Sequence, residues 1–250
     1  MLISLAVEGS VAVLELLDGQ ALLSDDLAHD LLTCCGQVEE DPMVLAVVLS
    51  GPLPTQEAPS AAQGPAAPLG LSAGPAARAA ETLARLSVPT LVALDGPVVG
   101  AGAELAIACD LRIASQTATF QFPHLDQGSI PSAGGTQRLP RIVGRAHALQ
   151  LLLLGDAIGA EEAFRMGLVA RVVPQGLALE EARRLAGAIA EKAPVAVRYL
   201  REAVHQGMDL TLNQGLRLEA DLYFLLQTTA DRMEGINAFL EKRRPDFRGQ

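Results

Sequence analysis

The run MVLAVVL at Met43–Leu49 constrains this chain most, together with Val88–Leu94, VPTLVAL. Both are continuous apolar stretches about one strand long, without the alternation that marks a half-exposed sheet. A strand can be apolar on both sides only if both faces are covered, as in a parallel sheet flanked by helices. Helical patterns separate such runs. Ser24-Asp25-Asp26 reads as an N-cap with first-turn acids ahead of Leu27, Leu31 and Val38. Pro75 opens a second helix whose apolar side is Ala79, Leu83 and Leu86. Leu111–Ala114 and Val169–Val173 are further short strands. Only the start of the chain alternates: Ile3, Leu5 and Val7, then Val11, Val13 and Leu16 across Glu8-Gly9-Ser10, a hairpin. Alternating strands and helices predict an α/β core of βαβ units over residues 1–190. From Leu179 onward the pattern is almost wholly helical, and residues 191–250 read as a separate helical region.

The 250 residues include 29 acidic and 19 basic side chains, a formal net charge of −10. An acidic body without a basic run argues against a nucleic-acid partner. The longest apolar stretches, such as Leu149–Leu154, fall short of the roughly 20 residues of a membrane span. The start, MLISLAVEGS, has no basic n-region and reads as a strand, not a signal peptide. Three cysteines without ligand spacing predict buried reduced thiols in a cytosolic protein. Four histidines without H-x₃-H spacing give no zinc site. Residues 52–75 hold six prolines and no periodicity, a long functional or disordered loop.

Chemistry concentrates in Val98–Asp110, VVGAGAELAIACD. Gly100, Ala101, Gly102 and Ala103 lie between a strand and a helix, so a ligand can approach the backbone closely. Exposed N–H groups at the helix start favour negative charge there, although neither nucleotide-binding glycine pattern is matched. Glu104 is the only charged residue between Asp95 and Asp110. It is either a proton-transfer group in apolar surroundings or a structural glutamate that complements a helix dipole or pairs with an arginine. Gly134 and Gly135 read as glycines for packing or for a turn, without a binding role.

GAGAELAIACD resembles the signature of the enoyl-CoA hydratase/isomerase (crotonase) superfamily. The similarity continues through ATFQFPHLDQGSIPSAGGTQRLPRIVG, LLLLGDAIGAEEAFRMGLVARVVP and EGINAFLEKRRPDFRG. The resemblance implies a spiral of ββα units, a helical C-terminal trimerisation region and assembly as a homotrimer or a hexamer of paired trimers. It also implies an acyl-CoA or carrier-protein thioester substrate, with no metal or redox cofactor; CoA enters only as part of the substrate. Two backbone N–H groups would hold the thioester oxygen as an enolate forms. One falls on Ala101. The other falls on Ser60, where the family's F-x-A-G-A-D element reads Gln56-Glu57-Ala58-Pro59-Ser60-Ala61. Ala58, Gly100, Gly102, Pro131 and Lys242 would contact the substrate. Lys242, Arg243 and Arg244 are either CoA ligands or a solvated helix-end cluster.

Hydratases of this family use two glutamates. Glu104 matches the first, but the Q-P-E element reads Phe122-Pro123-His124. His124 either takes the second acid/base role, with Asp126 orienting it or acting as the acid itself, or merely lines a remodelled pocket. The aspartate nucleophile of related dehalogenases falls on Ser132, which disfavours dehalogenation. Reversible hydration of a 2-enoyl-CoA is the expected reaction. Isomerisation, decarboxylation and a binding role without catalysis are the alternatives.

Overall fold

A computed structural model describes residues 1–18, 24–53 and 74–250. The chain opens with β1 (Ile3–Glu8) and β2 (Val11–Leu16), then α1 (Asp25–Glu40), β3 (Ala46–Ser50), α2 (Pro75–Arg85) and β4 (Thr90–Leu94). There follow β5 (Pro97–Val99), α3 (Ala101–Ala106), β6 (Leu111–Ser115), β7 (Thr119–Gln121) and α4 (Gly135–Leu154). After β8 (Ile158–Gly159), α5 (Ala160–Arg165) and β9 (Arg171–Val173), helices α6 (Ala178–Ala190), α7 (Pro194–Gly207), α8 (Leu212–Leu226) and α9 (Ala230–Glu241) complete the chain.

The main sheet has the order β1-β2-β3-β4-β6-β9. Its first pair is the antiparallel hairpin, and every later pair is parallel. Both faces are covered, which accounts for the apolar runs. Val47, Leu49, Val92 and Leu94 pack into the cluster that contains Leu27, Leu31 and Leu83 of α1 and α2. Ala46, Val48, Leu91, Ala93 and Ile113 meet Ala178, Ala182 and Ala186 of α6. That alanine stripe lets α6 lie close to the strands. The N-cap reading of α1 holds, since the Leu27 N–H donates to Ser24 Oγ at 3.2 Å, and Pro75 occupies the first turn of α2.

The sequence reading missed the second sheet, β5-β7-β8. Its strands have three, three and two residues, too short to show a period. The strand expected from Met43 begins at Ala46, and the one expected from Val88 begins at Thr90. The three cysteines are free and buried. Burial pushes the thiols of Cys35 and Cys109 up to about 12. Among the described residues no helix is long and apolar enough to cross a membrane.

Asp110, directly before β6, ties the C-terminal helices to the sheet. Its Oδ2 accepts from the Thr90 N–H at 2.8 Å and from Arg201 Nε at 2.8 Å, and its Oδ1 lies 2.7 Å from His205 Nε2. The Arg201 guanidinium also donates to the carbonyls of Leu86 and Ala84, which closes the end of α2. Burial alone would raise the Asp110 pKa. The hydrogen bonds from His205 and Arg201, with the Arg201 charge, outweigh it and hold the carboxyl at about 2. A carboxyl depressed from its ordinary value near 3.9 stabilises the fold by about 2 kcal/mol above that value, and this is lost as pH falls through about 2. Asp110→Asn is therefore expected to lower the thermal midpoint at neutral pH. Its deficit against wild type should shrink between about pH 4 and pH 2 in melts followed by circular dichroism. A constant deficit across that range would contradict the assignment.

Candidate active site

The site begins where β5 ends. The chain turns at Gly100, whose φ of 52° and ψ of −117° suit a residue without a Cβ. Its N–H donates to the Gln121 carbonyl at 2.9 Å, which joins the turn to β7. Helix α3 then starts at Ala101, so the Ala101 N–H has no acceptor within the helix. The Glu104 N–H donates to the Gly100 carbonyl at 3.0 Å and closes the first turn. Gly102 and Ala101 are buried beside it.

Glu104 is 2% exposed. A carboxylate buried to that degree requires donors. Its Oε1 accepts from the backbone N–H of Ala133 at 2.8 Å and of Gly135 at 2.7 Å. Its Oε2 lies 3.4 Å from His124 Nε2, and His124 is itself buried. The imidazole sits in a 3-10 turn, Pro123–Gln127, closed by Gly128 in the left-handed conformation. The His124 carbonyl accepts from both the N–H and the hydroxyl of Ser129. Two donors hold one carboxylate oxygen, and the other, Oε2, faces the imidazole.

Glu104, His124, Ala101 and buried Pro131 are thus brought together, from α3, the 3-10 turn and the approach to α4. Asp126 shares the turn with His124 but is exposed; its Oδ2 would lie 3.4 Å from a Cβ added at Gly155. Lys242 is the C-cap of α9, exposed and left-handed with φ 55°. Its neighbour Arg243 is engaged by Glu234 at 2.5 Å and Glu241 at 2.6 Å. Ala58 and Ser60 lie outside the described residues. Among the described residues no group of three or more His, Cys, Asp or Glu side chains forms a metal site.

The reading of Gly134 and Gly135 as turn and packing glycines holds, and Gly135 has a further role as a donor. Gly134 has a φ of 103°, and Gly135 both packs tightly and donates to Glu104. Backbone donors carry no residue-type signature, so only the glycine pair hinted at them. The structural reading of Glu104 was right in kind, since the carboxylate does complement a helix start. That start belongs to α4, not to its own α3.

The sequence matches the model of the enoyl-CoA hydratase/isomerase family over residues 7–250. The chain is 44% identical over 162 residues to the 2,3-dehydroadipyl-CoA hydratase of Escherichia coli, covering 65% of this chain and 64% of that protein. It is 45% identical over 159 residues to the crotonyl-CoA hydratase of Syntrophomonas wolfei, covering 64% and 61%. The matched part thus spans a little under two thirds of these curated relatives. An enoyl-CoA hydratase structure from Bacillus anthracis superposes with a TM-score of 0.88 at 31% identity, covering all of both chains. One from Geobacillus kaustophilus gives 0.88 at 34%, covering 100% of this chain and 99% of that one. With its crotonase fold and a buried glutamate at the start of α3, the chain belongs to the enoyl-CoA hydratase/isomerase family.

A Cβ added at Gly135 would lie 2.8 Å from the Pro131 Cβ and 2.9 Å from Glu104 Oε1. Gly135→Ala is accordingly expected to destabilise the fold by about 1–3 kcal/mol through overpacking. Urea unfolding would measure this, and an unchanged midpoint would show that the loop yields freely.

Proposed function

We propose that this chain adds water reversibly to a 2-enoyl-CoA, with Glu104 and His124 as the acid/base pair. The observation that carries the reading is the buried 3.4 Å approach of Glu104 Oε2 to His124 Nε2, with Oε1 already held by two N–H groups. The hydratase names of the relatives support the reaction class. The thioester oxygen is held by the N–H of Ala101 and, from the family pattern, that of Ser60, while Gly100, Gly102, Pro131 and Ala58 border the substrate.

The cycle starts from carboxylate and imidazolium. Glu104 Oε2 takes a proton from water as its oxygen bonds to Cβ. The electron pair of the double bond moves towards the thioester oxygen, where the N–H groups stabilise the enolate. The His124 imidazolium then protonates Cα. Finally the proton on Glu104 passes to His124, which restores the starting pair with one water added. Asp126 serves at the surface of the same turn, without contact with the reacting atoms.

The CoA phosphates call for local positive charge on a chain of net charge −10, and Lys242 is the family-based candidate. Residues 1–190 form the catalytic core in this reading, and residues 191–250 assemble the protein as a cytosolic homotrimer or a pair of trimers. Leu200, Val204, Leu212, Phe224, Phe239 and Leu240 of that region are exposed on the single chain and suit such contacts. No cofactor beyond the CoA of the substrate takes part.

The test is product analysis by NMR in D₂O on a panel of 2-enoyl-CoA thioesters, with wild type, Glu104→Gln, His124→Ala and His124→Glu. Hydration places oxygen at Cβ and deuterium at Cα. Glu104→Gln is expected to lower kcat by about 10²–10⁴-fold, and His124→Ala by a similar order. His124→Glu, which rebuilds the two-carboxylate pattern, should retain hydration. A shifted double bond without oxygen at Cβ would establish isomerisation instead. Equal and negligible turnover by wild type and Glu104→Gln would leave a thioester-binding role.

A further inference from the structure

Ala133, Gly134 and Gly135 form a concave run of backbone in which two N–H groups converge on Glu104 Oε1. Such a nest is an anion site whose shape depends on the left-handed central residue. Three residues into α4, Arg138 folds its side chain back over this run. Its Nη1 donates to the Ala133 carbonyl at 2.8 Å, while its backbone N–H donates to the Gly134 carbonyl at 2.8 Å. The guanidinium lies directly against Gly134, where any side chain would collide with it. It is half-buried. Burial lowers its pKa, and the Glu104 carboxylate, followed by Glu81 of α2, acts in the opposite direction. Arg138 is therefore hydrogen-bonded to the residue that supplies one Glu104 donor, packed on the residue between the donors, and within the electrostatic reach of the carboxylate they hold.

We infer that Arg138 is the positioning residue of the active-site carboxylate: its guanidinium, bonded to the Ala133 carbonyl and packed on Gly134, holds the nest that aims Glu104. The inference rests on the reading of Glu104 as the acid/base. Arg138 does not touch substrate. It sets the direction of Oε2, and misplacing a reacting group by about 1 Å can cost on the order of 100-fold in rate. Arg141, one turn further on, makes no such contact; it donates to Gln137 and Asp209 on the outer surface.

The experiment is steady-state kinetics of hydration with Arg138→Ala and Arg138→Lys, each checked for fold by its melting curve, with and without millimolar guanidinium. Arg138→Ala is expected to lose about 10- to 100-fold in kcat with KM within about twofold. Added guanidinium should restore part of the loss, and Arg138→Lys should recover part of it through the retained charge. Wild-type kcat in a folded Arg138→Ala protein would overturn the inference. So would a loss that guanidinium does not rescue, because the residue would then serve the fold alone. If Arg138→Ala does not fold, Arg138→Gln keeps a donor without the charge or fork, and a folded Gln variant with wild-type kcat overturns the inference equally. Glu104→Gln run beside these separates the two ideas. Full activity in Glu104→Gln sinks the reading of Glu104 as the acid/base, whereas an inactive Glu104→Gln with a fully active Arg138→Ala sinks only the role of Arg138.

Discussion

A carboxylate removed from water must be given back its hydrogen bonds, and this requirement organises the functional half of the molecule. Glu104 has almost no contact with solvent, and two N–H groups at the start of α4 replace the lost hydration. That pairing joins α3 to α4, which are 31 residues apart at the Glu104–Gly135 bond. It explains why three small residues precede a long helix: the backbone must come within hydrogen-bond distance of a side chain already packed below it. Orientation and solvation of the carboxylate are thus supplied by the same atoms.

The sheet makes this placement possible. Strands β3, β4 and β6 are covered on both faces, by α1 and α2 on one side and the alanine stripe of α6 on the other. The turn at Gly100 and the start of α3 consequently hang from a rigid frame. The small β5-β7-β8 sheet then holds the turn against the segment that leads to His124, through the Gly100 N–H and the Gln121 carbonyl. Backbone pairing thus helps to set the separation of two buried polar side chains, Glu104 and His124, that lie 20 residues apart in the chain.

Much of this architecture was legible where residue types report physics directly. Continuous apolar runs gave strands with two covered faces, Ser24 gave a cap, and the charge-poor segment around Glu104 drew attention to a buried acid. The losses share a cause. Strands β5, β7 and β8 consist of backbone hydrogen bonding over two or three residues, which leaves no periodicity. The donors to Glu104 are main-chain N–H groups of Ala133 and Gly135, and nothing in their side chains advertises that. His124 was visible as a departure from a pattern, but its distance from Glu104 depends on the 3-10 turn closed at Gly128. Ala58 and Ser60 fall outside the described residues, so the second oxyanion donor rests on the family pattern alone.

Arg201 reaches from α7 to three acceptors on two other elements: the Asp110 carboxylate and the last carbonyls of α2. Seen from α2, the C-terminal region supplies a helix cap in trans along the chain. A protein cut after α6 would retain every strand and the whole Glu104 site, yet leave a partly buried carboxylate without its cations and a helix end without its donor. The last quarter of the chain is therefore no removable appendage. The core depends on it to complete its hydrogen bonds, and shortened or circularly permuted forms of this fold must keep α7 docked if the rest is to stand.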